Sequence, residues 1–172
     1  YTRTTGIWQT VWMEAVAPTG IQRVKYVTDI DRSIVTMEFQ MRRNATGNTL
    51  TVNIKDGQKI IASETGKIAS GSMFSLPIKK AKIWSPESPF LYDVEFILKD
   101  AEGNVIDQVS SYFGMRKIHT EGNRIYLNNE PYYQRLVLDQ GFYPDGVWTA
   151  PSDAALKKDI ELSMAAGFNG AR

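Results

Sequence analysis

Apolar and polar side chains alternate with a period of two residues through much of the first two thirds of the chain. The alternating apolar positions form four sets, Val35-Met37-Phe39-Met41, Leu50-Val52-Ile54, Phe74-Leu76-Ile78 and Tyr92-Val94-Phe96-Leu98. A period of two puts apolar side chains on one face of an extended chain and polar side chains on the other. Each set therefore predicts a half-buried antiparallel strand. With residues 24–28, 59–65 and 105–114, the pattern predicts seven short strands.

Turn signals separate these strands, and no helical periodicity interrupts them. Asp56-Gly57 predicts a two-residue hairpin turn, because glycine tolerates a positive φ. Short antiparallel strands at this spacing predict an immunoglobulin-like β-sandwich over residues 20–115, with a small barrel as the alternative. Tyr92 opens one of the strands, which is the position of the tyrosine corner in such sandwiches. Trp84, which lies before two prolines, is also interpreted as structural.

The pattern changes after Gly114. The stretch YLNNEPYY predicts a short hairpin with Asn128-Asn129 in its turn, since asparagine accepts left-handed backbone conformations. The apolar run 132–138 predicts a buried strand. Residues 139–151 are rich in glycine and proline, which predicts a loop.

A helix is predicted after this loop, because Leu156, Ile160 and Met164 recur on one helical face. Ser152 is its predicted N-cap, and Gly167 is placed to end it. Strand, loop, helix and new strand form the order of a βα repeat. Residues 116–172 therefore predict the truncated βα start of a TIM barrel, since a complete (β/α)8 barrel takes roughly 250 residues.

Composition excludes several classes of function. The 172 residues carry a net charge of +1 with both signs interspersed, which is not the pattern of a nucleic-acid-binding surface. No apolar run has the length of a membrane-spanning helix. Cysteine is absent, which excludes disulfides and thiolate metal sites, and no cofactor or metal site is predicted. The single histidine, His119, is predicted to lie on the surface.

Five stretches resemble, in order, segments of one enzyme family. They are TGIWQTVWME (5–14), IWSPESPFLYDVEF (83–96), SYFGMRKI (111–118), IYLNNEPYYQRLVLDQGFYPDG (125–146) and GFNGAR (167–172). Together they are similar to glycoside hydrolase family 2, the family of β-galactosidases and β-glucuronidases. The resemblance implies that residues 1–19 end an N-terminal sugar-binding domain. It also implies that residues 20–115 form the immunoglobulin-like middle domain and that residues 116–172 begin the catalytic barrel.

The resemblance also implies an activity, which is hydrolysis of O-glycosidic bonds by a retaining, β-galactosidase-like enzyme of carbohydrate catabolism. Two carboxylates carry that reaction. In the family both are glutamates on later barrel strands, beyond Arg172. The chain opens in strand-like sequence and stops at a predicted strand. We therefore expect a piece of a longer protein, with no catalytic residue of its own, whose compartment (bacterial periplasm or cytoplasm) the sequence does not indicate.

Three residues are candidates for substrate binding in the intact enzyme. Asp139 and Gln140 follow the first predicted barrel strand, at the end where such barrels bind substrates, and Arg172 matches an arginine of the family's second barrel strand. The alternative for Asp139 is a loop acid that accepts hydrogen bonds from local amides. Tyr143 and Trp148 are either stacking platforms for sugar rings or aromatic residues that pack within their own loop.

The sugar itself is not specified. Many family members carry Asn-Arg-His-Glu where this chain has Val137-Leu138-Asp139-Gln140. The alternative function is a stand-alone immunoglobulin-like carbohydrate-binding or adhesion module, which accounts for the sandwich but not for the barrel-like tail. A barrel strand without neighbours and a helix with an open apolar face also predict self-association through residues 131–172.

Overall fold

The computed structural model describes residues 3–172 and is mainly β. The chain forms two compact units. The sandwich unit is Ala15–Pro131, and the terminal unit combines the described residues up to Glu14 with Tyr132–Arg172. The described part of the chain contains one helix, which is far too short and polar to cross a membrane.

Two antiparallel sheets make up most of the sandwich unit, with strand orders β1-β2-β5 and β4-β3-β6-β7. Their strands are β1 (Ile21–Asp29), β2 (Ile34–Met41), β3 (Thr49–Asp56), β4 (Lys59–Lys67), β5 (Met73–Pro77), β6 (Tyr92–Lys99) and β7 (Val105–Phe113). A smaller antiparallel sheet of order β10-β9-β8 follows, with β8 (Ile118–Glu121), β9 (Arg124–Leu127) and β10 (Glu130–Pro131). The predicted mainly β, sandwich-like architecture is confirmed.

The core lies between the two large sheets, and the alternating apolar sets supply it. All of their members are buried. Phe39 of β2 contacts Phe74 and Phe96 edge-to-face, with ring centroids 5.6 and 5.3 Å apart. Since Phe96 belongs to the four-stranded sheet and Phe39 to the three-stranded one, this contact joins the two layers.

The hairpin between β3 and β4 turns one residue later than predicted. Asp56 pairs with Lys59, so that the two loop residues are Gly57 and Gln58 rather than Asp56 and Gly57. Gly57 has a φ of 60°, at the first loop position, where a type II′ turn requires glycine. The glycine, and not the aspartate before it, therefore determines where the strand ends.

Tyr92 makes the hydrogen bond that a tyrosine corner requires. Its buried hydroxyl accepts from the backbone amide of Lys82, with 2.7 Å between the nitrogen and oxygen atoms. The ring lies between Phe90 and Phe113, whose centroids are 4.8 and 5.5 Å away. The aromatic ring thus fills the core while the hydroxyl satisfies a backbone amide in the connection before β6.

The predicted turn at Asn128-Asn129 is confirmed, and it ties the small sheet to the sandwich. Both asparagines have positive φ values, 53° and 70°. The Asn128 side chain accepts from the Lys117 amide at 3.0 Å and donates to the Trp84 carbonyl at 2.9 Å. Asp31 accepts from Lys117 Nζ and from Asn129 Nδ2, at 2.6 and 2.7 Å. The hairpin 118–131 is therefore held to the sandwich strands by side-chain bonds.

The terminal unit contains a strand-helix-strand arrangement. The parallel strands β11 (Leu136–Val137) and β12 (Gly170–Ala171) flank helix α1 (Asp153–Ala165). Ser152 is the N-cap, as predicted, and its hydroxyl accepts from the Ala155 amide. At the other end the Gly167 and Phe168 amides donate to the Met164 and Ser163 carbonyls, which is the Schellman pattern. Gly167 has the positive φ of 88° that this motif requires.

The prediction of a buried strand over 132–138 is wrong. Only Leu136–Val137 is a strand, and Tyr133, Leu136 and Leu138 are 81%, 50% and 58% exposed. A strand is buried when neighbouring strands and a helical layer cover it, and within the described residues β11 pairs with β12 alone. The predicted apolar helix face is likewise exposed, since no residue of α1 is buried.

Candidate functional site

An open cleft of about 810 Å³ lies in the terminal unit. The loop between β11 and α1 forms one side of it, the first turn of α1 forms another, and the segment around Trp8–Trp12 completes it. A second cleft of about 700 Å³ adjoins the same loop. Asp139, Gln140 and Tyr143 line both clefts. The loop that leaves the first parallel strand is therefore the centre of the candidate site.

Asp139 is fixed at this position through its backbone and through one carboxylate oxygen. Its amide donates to the Arg172 carbonyl at 2.9 Å, which extends the pairing of β11 with β12. Its Oδ1 atom accepts from the Gly141 amide at 2.8 Å. The local loop bond considered from the sequence is thus present. The role of Asp139 in sugar binding stays a prediction.

Gln140 and Arg172 differ in where the structure places them. Gln140 is exposed and lines both clefts beside Asp139. The Arg172 amide donates to the Val137 carbonyl at 3.0 Å, so its backbone belongs to the parallel strand pair. Its side chain is not among the described residues that line either cleft. Substrate binding by these two residues also stays a prediction.

Three tryptophans give the larger cleft an aromatic wall, which we call the tryptophan wall: Trp8, Trp12 and Trp148. The rings of Trp8 and Trp148 lie 6.4 Å apart at 45°. Trp148 is 38% exposed, whereas Trp8 and Trp12 are 54% and 75% exposed. Flat aromatic faces that water can reach are able to stack on the C–H face of a sugar ring.

Hydrogen bonds hold the two sides of this wall together. Trp148 Nε1 donates to the Thr4 hydroxyl at 2.9 Å, and the Thr149 hydroxyl donates to the Trp8 carbonyl at 3.1 Å. The sequence indicated Trp148 alone, as one of two loop aromatics. Trp8 and Trp12 could not be assigned to the site because more than 120 residues separate them from this loop, and no motif links the two segments.

Tyr143 anchors the loop to the helix. Its hydroxyl donates to Asp159 Oδ2 at 2.6 Å, and this bond to a carboxylate is the main reason why the pKa of Tyr143 rises to about 12. Its backbone exchanges two hydrogen bonds with Val147, at 2.8 and 3.0 Å. Of the two interpretations offered by the sequence, packing within the loop describes Tyr143 better than a free stacking platform does.

The charge of the larger cleft is one-sided. Asp139 and Asp153 line it, and no lysine, arginine or histidine is found among its described lining residues. Nor do any three His, Cys, Asp or Glu side chains in the described range 3–172 cluster closely enough to hold a metal ion. His119, predicted to be a surface residue, is instead half-buried, stacked on Tyr126 in the sandwich unit.

Comparison with known proteins identifies the family. The model of the Glycosyl hydrolases family 2 matches residues 19–116, which is more than half of the chain. The chain belongs to this family. A β-galactosidase of Lactococcus lactis is 25% identical over 99% of this chain, and one of Vibrio cholerae is 30% identical over 67% of it. Both of these relatives carry the name β-galactosidase.

Solved structures of β-glucuronidases share the fold of this chain. The β-D-glucuronidase of Dictyoglomus thermophilum has a TM-score of 0.72 and 22% identity, covering 88% of this chain and 25% of that protein. A β-glucuronidase from Ruminococcus gnavus, in complex with D-glucuronic acid, has a TM-score of 0.70 and 21% identity, covering 87% of this chain and 24% of its own. The chain spans 17% of the Lactococcus relative and 11% of the Vibrio relative.

Proposed function

We propose that this family 2 chain is part of an enzyme that cleaves O-glycosidic bonds with retention, and that the cleft of the terminal unit holds part of its carbohydrate substrate. The observation that carries the proposal is the position of Asp139. It lies two residues after the end of a parallel strand and lines, together with exposed tryptophans, a cleft open to solvent. In barrels of parallel strands, substrates bind at this end of the strands.

We assign different roles to the two units. The sandwich unit is an immunoglobulin-like structural domain, which its two antiparallel sheets and continuous core support. Residues up to 19 end a preceding sugar-binding domain, although the described ones up to Glu14 belong to the terminal unit. Within that unit, Tyr132–Arg172 begins a (β/α)8 barrel, which its parallel strand-helix-strand arrangement supports. A stand-alone binding or adhesion module does not account for that arrangement. The hairpin 118–131 lies within the range assigned to the barrel from the sequence, but Asn128 holds it to the sandwich.

The chain itself is proposed to be non-catalytic. Retaining glycosidases need two carboxyl groups about 5–5.5 Å apart on either side of the scissile bond. One oxygen of Asp139 accepts a hydrogen bond from the Gly141 amide, and Asp159 accepts one from the Tyr143 hydroxyl, so both acids serve the structure of the loop. The catalytic glutamates implied by the family resemblance belong to barrel strands that follow Arg172.

Asp139→Asn tests the substrate-binding role in the glycoside hydrolase that carries this chain. Asparagine retains an oxygen for the Gly141 amide but removes the negative charge. We expect the substitution to lower kcat/KM by about tenfold or more, since a charge-assisted bond to a substrate hydroxyl is worth about 1.5–3 kcal/mol. The Tm should change little. Steady-state kinetics on aryl β-glycosides and thermal unfolding measure the two effects.

Asp145→Asn is the matched control. Asp145 lies on the same loop but lines neither of the two clefts. The Asp145→Asn variant should have the same kinetics as the unaltered enzyme. Equal kinetics for all three proteins would return Asp139 to a purely local role in the loop.

We also propose that the isolated 172-residue chain self-associates through residues 131–172. Leu156, Ile160 and Met164 are 48%, 62% and 67% exposed on one face of α1. Burial of such a side chain is worth roughly 1.5–3 kcal/mol, which favours contact with the same face of a second copy.

Ile160→Glu tests this proposal, because it places a charge in the middle of the exposed face. The chain is expected to form dimers in a concentration series by analytical ultracentrifugation, and Ile160→Glu to remain monomeric. Ile60→Glu serves as the control, since Ile60 is 50% exposed on the sandwich unit. A chain that is monomeric throughout the series, or a control that dissociates equally, would contradict the proposal.

A further inference from the structure

We infer that the larger cleft of the terminal unit discriminates by charge, and accepts neutral sugars in preference to uronic acids. The inference rests on the proposed function, because it presupposes that a sugar occupies this cleft. It goes further by naming the substrate class. A neutral hexose and its uronic acid differ only at C6, where a hydroxymethyl group is replaced by a carboxylate.

The first step is the sign of the charged groups. Asp139 lies on one side of the cleft and Asp153 on another, at the start of α1. A bound carboxylate is held most strongly when a cation lies nearby, and arginine is the residue most often used for this purpose. The described residues lining either cleft include no arginine, lysine or histidine. A uronate would therefore meet two like charges and no compensating one.

The N-terminus of α1 does not make the charge of the cleft positive. The N-terminus of a helix carries a partial positive charge and free amide groups, which attract anions. In α1 the Ser152 hydroxyl already accepts from the Ala155 amide, and Asp153 places a negative charge in the first turn. One free amide of the first turn is thus already bound, and the Asp153 carboxylate offsets the partial positive charge of this helix end.

The tryptophan wall, by contrast, treats the two kinds of sugar alike. Stacking depends on the C–H groups of the ring, which a hexose and its uronic acid share. Gln9 in the same cleft carries an uncharged polar group that can bind hydroxyls. The common ring thus has a common binding surface, and any difference in affinity must come from C6 and the two aspartates.

A matched pair of ligands separates these contributions. Methyl β-D-glucopyranoside and methyl β-D-glucopyranosiduronate are titrated into the 172-residue chain at low ionic strength, with the tryptophan indole NMR signals as the readout. We expect the neutral glycoside to bind and the uronate to bind about tenfold more weakly, because unscreened like charges repel. The difference should shrink at about 1 M salt, where the Debye length falls to about 3 Å.

Substitutions then assign the effect to the two carboxylates. Asp139→Asn combined with Asp153→Asn should remove the preference for the neutral glycoside, whose own affinity falls because the charge-assisted bond to Asp139 is lost, whereas Asp145→Asn should preserve the preference. Circular dichroism checks that α1 persists in the double variant.

Equal affinities in the unaltered chain, or a preference that survives both the double variant and high salt, would overturn the inference while leaving sugar binding in the cleft intact. If neither glycoside perturbs the indole signals, the sugar-binding cleft itself fails, and the inference with it.

Discussion

Replacement of Asn128 by alanine is expected to lower the free energy of unfolding of the sandwich unit by about 2–4 kcal/mol. Two causes add up. The partly buried Lys117 amide and Trp84 carbonyl lose their side-chain partner. Alanine must also adopt the left-handed backbone conformation, with φ near 53°, that asparagine tolerates better. Urea unfolding of the chain, followed by far-UV circular dichroism, measures the change.

Two further variants separate these causes. Asn128→Gly removes the same hydrogen bonds but accepts a positive φ without strain, so its loss of stability should be smaller by about 1–2 kcal/mol. Asn129→Gly is the positional control, because Asn129 also has a positive φ but bonds only the exposed side chain of Asp31. It should be nearly neutral. Equal losses for Asn128→Ala and Asn128→Gly would show that the backbone conformation contributes nothing.

The same asparagine shows how far the sequence could predict the fold. Two adjacent asparagines between strand-like segments are a local signal, and the turn lies where that signal places it. The bond from Asn128 to Trp84 is not local, because 44 residues separate the two. Neither segment alone indicates that the hairpin belongs with the sandwich. The prediction from the sequence therefore placed the hairpin in the barrel.

Strands of the sandwich were predictable wherever one face is buried in the core and the other is exposed to solvent. In β2 and β6 every second residue is buried, as the alternation predicts. The apolar run 132–138 carries no such alternation, and its burial depends on which elements cover it. Within the described residues β11 has one short parallel neighbour, and Leu136 and Leu138 remain exposed. Hydrophobicity predicted a strand there, but it could not predict whether other strands or a helix would pack over that strand.

The candidate site was predictable in part for a similar reason. The position of Asp139 follows from the order of strand, loop and helix, which is local information. The tryptophan wall depends on the fold bringing Trp8 against Trp148, and the anchoring of the loop depends on Tyr143 reaching Asp159. Each of these contacts joins residues that are far apart in the sequence or lie on different elements. No repeating sequence pattern indicates that such residues meet, so the sequence alone could not predict the contacts.

Removal of the Tyr92 hydroxyl is the second substitution expected to have a large effect. Tyr92→Phe should lower the free energy of unfolding by about 1–3 kcal/mol, because the Lys82 amide would lose its acceptor in a partly buried environment. The ring contacts with Phe90 and Phe113 would remain, since phenylalanine retains the aromatic ring. The substitution therefore isolates one hydrogen bond from the packing around it.

Tyr112→Phe is the matched control for this measurement. Tyr112 lies on β7 and is 65% exposed, so water can replace any partner that its hydroxyl loses. Its removal should change the free energy of unfolding by less than about 0.5 kcal/mol. Both variants are compared with the unaltered chain by urea unfolding under identical conditions. If Tyr92→Phe is as stable as Tyr112→Phe, the bond to Lys82 makes no net contribution, and burial of the aromatic ring is the whole contribution of Tyr92 to the sandwich.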